Sequence, residues 1–143
     1  MTERLEHANL RVHDIDAVVR FLRTAFPDFQ IRRDAVEPGG WRWLHVGTHE
    51  TYIALTEANT EEARRGTPYK GRPGLNHLAY EVDDVESLRD RLRAAGYQES
   101  TPPNAHPHRK RVYFYDPEGN DWEFVQYLSD DPGKRDDYDL PDR

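Results

Sequence analysis

Three side chains in this sequence are of a kind that holds a divalent metal ion, and Glu123 is the first to consider. It lies in the run from Asn104 to Tyr127, NAHPHRKRVYFYDPEGNDWEFVQY. β-Branched and aromatic residues from Val112 to Tyr115 and from Trp122 to Tyr127 flank Asp116-Pro117-Glu118-Gly119-Asn120. That pattern predicts two strands joined by a tight turn. Alternation along the second strand puts Glu123, Val125 and Tyr127 on one face, and Trp122, Phe124 and Gln126 on the other. A carboxylate aimed at an apolar, enclosed side is costly to bury unless it meets a cation. The candidates are Arg111, Arg109, another basic side chain or a metal ion.

The other two side chains are His7 and His77. Each sits at the start of an alternating segment, with Leu5 and Asn9 sharing one face with His7, and Leu75 and Ala79 sharing one face with His77. A lone strand histidine is most simply a half-buried residue satisfied by the backbone. A symmetric pair that converges with a carboxylate is better read as a ligand set. Two neutral imidazoles and one carboxylate leave half of an octahedral shell open, which suits Fe(II), Mn(II), Ni(II), Co(II) or Zn(II). The sequence has no cysteine, so no thiolate competes as a ligand and no disulfide forms.

An internal repeat positions these residues. Leu5-Glu6-His7 falls under Leu75-Asn76-His77 at an offset of 70, and the same offset aligns Val12 with Val82, Asp14 with Asp84, Val18 with Leu88 and Leu22 with Leu92. Each copy opens with a strand, Arg4 to Val12 and Gly74 to Val82, followed by a helix with apolar residues at three-to-four spacing. Asp14 and Asp83 or Asp84 are the expected N-caps, and Gly96 the expected stop. Three strands follow each helix: Phe29 to Arg33, Trp41 to Val46 and Thr51 to Thr56 in one copy, and Tyr97 to Ser100, Lys110 to Tyr115 and Trp122 to Leu128 in the other. The expected architecture is α+β, with two tandem βαβββ modules forming a curved mixed sheet around a metal site and helices outside. Residues 1–128 form a single domain, with module one at 4–56, a linker at 57–73 that contains a helical turn near 60–65, and module two at 74–128. Residues 129–143 are an acidic tail, ordered on contact or disordered, with six Asp against Lys134, Arg135 and Arg143.

The chain has 143 residues, 36% of them hydrophobic, enough for one core of ordinary size. Its 20 basic and 27 acidic residues give a net charge of −7, which argues against a nucleic-acid or anionic-membrane partner. No apolar run is long enough to cross a bilayer, and no signal-peptide pattern opens the chain, so a cytoplasmic location is expected. No phosphate loop or serine triad is found.

The paired modules, the two strand-one histidines and the run DPEGNDWEF with Glu123 resemble the vicinal oxygen chelate superfamily over residues 4 to about 128. That superfamily includes glyoxalase I, fosfomycin- and bleomycin-resistance proteins, methylmalonyl-CoA epimerase and extradiol dioxygenases. Residue by residue, the resemblance implies that His7, His77 and Glu123 are metal ligands. Glyoxalase-like members have a fourth ligand, usually Glu or Gln, on the last strand of the first module, where this chain has Ile53 or Ala54. Asn104-Ala105-His106, Val112-Tyr113 and Asp116-Pro117-Glu118-Gly119 follow the spacing of the extradiol signature. By that resemblance Tyr113 hydrogen-bonds the substrate or oxygen species and His106 lines the site. The acid-base histidine that extradiol enzymes have before the second metal histidine has no counterpart between residues 50 and 76. His45 and His49 are the histidines nearest to that role. The potassium loop of fosfomycin transferases also has no counterpart near residues 100–108.

The reading is thus a metal-dependent enzyme acting on a small substrate with vicinal oxygens, with extradiol-type ring cleavage as one reaction. A fosfomycin-resistance-type transferase, a glyoxalase- or epimerase-type lyase or isomerase, and a non-enzymatic antibiotic-sequestering protein are the alternatives. Arg111 and Tyr115 share a strand face with Tyr113 and are expected to contact substrate. The basic run His106, His108, Arg109, Lys110 and Arg111, with Lys70 and Arg72, either steers an anionic substrate or is a solvated strand end. Trp43 reads as core, while His45 and Tyr52, Ala54 and Thr56 could wall a pocket. Open sheet edges imply a homodimer.

Overall fold

In the computed structural model, residues 2–64, 66, 68–103 and 105–140 are described. They fall into two compact units, Met1–Ala63 and Arg64–Arg143, whose boundary lies inside the linker expected at 57–73. The first unit contains β1 (His7–Val12), α1 (Ile15–Ala25), β2 (Gln30–Val36), β3 (Arg42–Gly47) and β4 (Tyr52–Glu57). The second contains β5 (His77–Glu81), α2 (Val85–Ala94), β6 (Glu99–Thr101), β7 (Arg109–Tyr115), β8 (Asp121–Tyr127) and the short α3 (Pro132–Arg135). Each unit is one βαβββ module, as its repeat pattern requires.

The sheets repeat the same topology, β1-β4-β3-β2 in one unit and β5-β8-β7-β6 in the other. In each, the first strand pairs in parallel with the last, and the remaining pairs are antiparallel. The parallel register sets His7 beside Tyr52 and His77 beside Asp121. A module's first and last strands are therefore neighbours, which brings its N-terminal histidine to the strand that follows its final hairpin or turn.

Both helices start where the repeat places a carboxylate. Asp14 accepts from the Ala17 amide at 3.0 Å, and Asp84 from the Ser87 amide at 3.0 Å. Ile15, Val18, Phe21, Leu22 and Ala25 turn one face of α1 onto β3 and β4. Val85, Leu88 and Leu92 do the same for α2 on β7 and β8. Phe21, Leu22, Leu88, Leu92, Trp122 and Phe124 are all but inaccessible to solvent. Full burial of such side chains is worth about 1.5–3 kcal/mol each. Gly96 ends α2 at φ +88°, in the left-handed region open to glycine.

No helical turn forms over residues 60–64, contrary to the expectation, and Arg65 lies outside the described residues. Thr60 Oγ1 instead accepts from the Glu62 amide, and the Glu62 carbonyl takes His13 Nε2 at 2.7 Å. These local side-chain bonds compete with the helical ladder and win. The described tail, residues 129–140, is docked on the second unit. Arg109, which is 4% exposed, donates from Nη1 to the carbonyls of Arg135 and Asp137. Arg135 in turn pairs with Glu81 and stacks over Tyr127 at 3.9 Å.

Candidate metal centre

In the second unit the face of β8 that carries Glu123 is polar, not apolar. The fully apolar side is the other one, where Trp122 and Phe124 are buried beneath α2. On Glu123's face the antiparallel register sets Tyr113 directly opposite it, with Arg111 and Tyr115 on either side along β7. The parallel register sets His77 opposite Asp121, two residues before Glu123. His77 Nε2 comes to 3.2 Å from Glu123 Oε2, and Arg111 Nη1 to 3.7 Å from Oε1. Glu123 is thus shared between an imidazole and a guanidinium. The Arg111 partner anticipated for it is present, and Arg109 is not that partner.

Tyr113 is half-buried and hydrogen-bonded to Glu123. Burial, then the neighbouring carboxylate, pushes its hydroxyl up to about 12. It stays protonated at neutral pH and can donate a hydrogen bond, but it is no base. Its ring meets His77 edge-on, with centroids 5.7 Å apart. Among the described residues the buried His77 Nδ1 atom has no hydrogen-bond partner, and the imidazole's polar anchor is Glu123 through Nε2.

In the first unit His7 is anchored through its other nitrogen. Nδ1 lies 2.9 Å from Glu6 Oε1, the carboxylate–histidine arrangement that fixes a metal-ligating tautomer and leaves Nε2 as the donor atom. His7 is stacked on Tyr52 at 4.8 Å with planes 5° apart, and His45 is stacked on the same ring at 4.5 Å. Trp43 follows His45 at 4.8 Å, and Arg32 covers Tyr52 at 4.0 Å. The register shift between Ile31 and Arg33 is what frees Arg32 from regular pairing. Burial, reinforced by Arg32 and His7, holds the His45 imidazole below its ordinary value. His45 is therefore neutral at pH 7 and able to accept a proton.

The strand registers also decide between Ile53 and Ala54. Ala54 lies opposite Asn9 and His45, on the face of Tyr52 and His7, while Ile53 joins the core. The position that could carry a fourth ligand is a methyl group. Asn9 beside it is engaged by Thr56 Oγ1 at 3.0 Å.

Several expected residues lie elsewhere. His49 is exposed in the turn between β3 and β4. Trp43 is not core, because its indole donates to Glu37 Oε1 at 2.6 Å on the half-buried face of His45. His106 is 3% exposed and is grouped with His108, Arg109 and Asp137 rather than with His77 and Glu123. Its Nδ1 accepts from the His108 amide. Asn104, the first residue of the extradiol-like stretch, lies outside the described residues. Much of the basic run is engaged within the fold: Arg109 by the tail, Lys110 by Glu86 at 3.0 Å and, more loosely, Arg111 by Glu123 at 3.7 Å.

Burial, then Arg109, lowers the His106 imidazole from its ordinary value. A histidine whose folded value is depressed favours folding above its unfolded value, near 6.5, and loses that contribution as pH falls from there through its folded value. In His106→Asn, Oδ1 can replace Nδ1 as the acceptor for His108. The wild type is expected to lose more thermal stability than this variant between pH 7.5 and 5.5, as read by melting curves at both values.

Composition and spacing did not single out Tyr69, Asp121 or Glu6. Asp121, 2% exposed, accepts from Tyr69 Oη and Ser100 Oγ. Glu6 is the one with a sequence signal, being the neighbour of His7 inside the repeated tripeptide.

Among the described residues no group of three or more His, Asp or Glu is gathered as a metal site. The donor types suit a divalent ion in each unit taken by itself: His77 and Glu123 are adjacent in the second, and Glu6 orients His7 in the first. The family model of the Glyoxalase/Bleomycin resistance protein/Dioxygenase superfamily matches residues 4–124. The chain belongs to that superfamily. Among relatives, an ethylmalonyl-CoA/methylmalonyl-CoA epimerase of Cereibacter sphaeroides is 29% identical over 126 residues, covering 82% of this chain and 90% of that protein. The fosfomycin resistance protein FosX of Mesorhizobium loti superposes with a TM-score of 0.70 at 21% identity, covering 94% of this chain and 98% of that one. A variant FosX of Listeria monocytogenes, complexed with Mn(II) and 1S,2S-dihydroxypropylphosphonic acid, gives a TM-score of 0.70 at 19% identity over 94% and 98% of the chains. At such identities the structural likeness is one of fold. No described helix is long and apolar enough to cross a membrane.

Proposed function

We propose that this chain is a cytoplasmic, homodimeric, divalent-metal-dependent enzyme of the superfamily, acting on a small anionic substrate with two adjacent oxygens. His7, His77 and Glu123 would hold the ion. When bound, such an ion polarises substrate oxygens as a Lewis acid. The observation that carries the reading is the 3.2 Å approach of His77 Nε2 to Glu123 Oε2, the two proposed ligands of the second module.

The remaining side chains support one class of reaction better than the others. His45, kept neutral, is a general base, and Tyr113, kept protonated, is a hydrogen-bond donor to a substrate oxygen. Arg111 supplies positive charge beside Glu123 for an anionic group. One base suits the addition of water or another small nucleophile to an electrophilic carbon. Extradiol ring cleavage has less support, since His106 is grouped with Arg109 and Asp137. Epimerisation is the second reading, favoured by the Cereibacter relative, although Ala54 puts a methyl group at the strand position opposite Asn9 where a fourth ligand could stand.

Elemental mass spectrometry tests the proposal on protein prepared without chelators or a His-tag. Near-stoichiometric Fe, Mn, Ni, Co or Zn is expected in the wild type and its loss in His77→Ala. No metal in the wild type, and no uptake of any of these ions, would overturn it in favour of a ligand-sequestering protein. If metal is found, an epoxide-bearing phosphonate, a chiral acyl-CoA and a catechol under oxygen separate addition, epimerisation and ring cleavage.

A further inference from the structure

Tyr69 is the one non-glycine among the described residues with a positive φ, +68°. An aromatic side chain takes up this left-handed conformation only where its surroundings hold it there. Two contacts do so. The Tyr69 amide donates to Asn76 Oδ1 at 2.6 Å, and its hydroxyl donates to Asp121 Oδ2 at 2.8 Å.

Both anchors adjoin His77. Asn76 precedes it in the chain, and Asp121 lies opposite it in the β5–β8 register. Asp121 is 2% exposed and its other oxygen is taken by Ser100, so it cannot turn away. The Tyr69 ring lies near the His77 ring, with centroids 6.0 Å apart and planes 29° from parallel. Tyr69 is itself 57% exposed, so it forms an outer layer with solvent beyond it. Gly66 and Gly71 bracket it with positive φ of their own, +71° and +92°, and can absorb a change of backbone direction.

We propose that Tyr69 is a positioning residue that covers His77, and that its hydroxyl bond to Asp121 is the catch holding segment 68–76 closed over the His77–Glu123 pair. The cover keeps water from one side of that pair and fixes the imidazole, whose Nδ1 has no hydrogen-bond partner of its own. Opening breaks the hydroxyl bond to Asp121, while the amide bond to Asn76 lies within the segment itself. Its value to catalysis rests on the metal-site reading, but its existence does not.

Diethyl pyrocarbonate labelling of the full-length, metal-stripped protein reads the cover directly. The rate at His77 is followed by peptide mass spectrometry and normalised to His49, which is exposed in a turn. Tyr69→Ala is expected to raise the His77 rate by about tenfold, and Tyr69→Phe, which keeps the ring but loses the catch, by about threefold, as local opening becomes easier. Trypsin should cut after Lys70 faster in both variants. A normalised His77 rate in Tyr69→Ala equal to that of the wild type overturns the cover, and equal rates in Tyr69→Phe and wild type overturn the catch. Metal enters neither readout, so failure to bind metal would count against the proposed function alone.

Discussion

Replacing Asp116 by Ala is expected to destabilise the second unit by about 3–4 kcal/mol, the largest loss of stability from any single polar substitution here. Asp116 is 5% exposed and opens the turn between β7 and β8. Its Oδ1 accepts from the amides of Glu118 at 2.8 Å and Asn120 at 3.0 Å. Its Oδ2 accepts from Asn120 Nδ2 at 2.9 Å and from Trp122 Nε1 at 3.0 Å. The indole is wholly buried, so an alanine removes the carboxylate that accepts from its N–H, at about 1–3 kcal/mol for that group alone. The bonds form one network and their losses do not add in full. Asp116→Asn keeps one oxygen for the two amides but turns an NH2 group toward two donors, so it should lose roughly half as much. Melting curves read by tryptophan fluorescence check both. A drop in melting temperature of roughly 10–15 °C is expected for Ala, and an Ala variant as stable as Asn would show that the two amide bonds to Oδ1 contribute nothing.

That network was half legible from sequence. Asp-Pro-Glu-Gly-Asn between two aromatic runs announces a turn, and Gly119 does adopt φ +81°. Nothing in the pattern says that the opening Asp also holds Trp122. The modules were legible because the copies carry the same punctuation: an alternating strand, a capping Asp and an apolar helical stripe. Agreement between independent local signals specifies elements well. The histidines and Glu123 were legible for the same reason, since strand period and repeat offset assign each a face.

What escaped depends on contacts between residues distant in sequence. Tyr69 sits in a polar linker without period, and its meaning comes from Asp121, 52 residues away. Arg109 looked like one of several solvated cations, yet it is buried because two carbonyls of the tail close over it. Carbonyls are common to every residue, so no composition reveals that a segment will dock through them. Arg32 reached Tyr52 through a register shift that alternation does not foresee. Trp43 is aromatic and in a strand, which suggests core, but an indole N–H needs an acceptor, and Glu37 provides one at the half-buried face.

Glu123→Gln is expected to weaken divalent-metal affinity at least 100-fold, beyond the 10–100-fold typical of losing an outer partner. The amide has the same shape, can still accept a hydrogen bond from Tyr113, and can still lie against His77. What it lacks is charge. Glu123 is the sole anionic member of the proposed set of His7, His77 and Glu123, so its neutralisation removes the main attraction for a dication and leaves Arg111 to repel it. Thermal shift gives the measurement. At a metal concentration of 100 times the wild-type Kd, binding stabilises the wild type by about 2.7 kcal/mol, and a variant bound 100-fold more weakly gains only about 0.4 kcal/mol at the same concentration. The metal-free variant should melt below the metal-free wild type, because Glu123 is buried and its neutralisation removes a counter-ion of Arg111 and His77, so each protein's gain is read against its own metal-free melting curve. Equal stabilisation of both proteins by Mn(II), Co(II) or Zn(II) would mean that the ion binds away from Glu123. The carboxylate would then be an internal counter-ion for Arg111 and His77, and the site would have to be rebuilt around His7, Glu6 and the rings stacked on Tyr52.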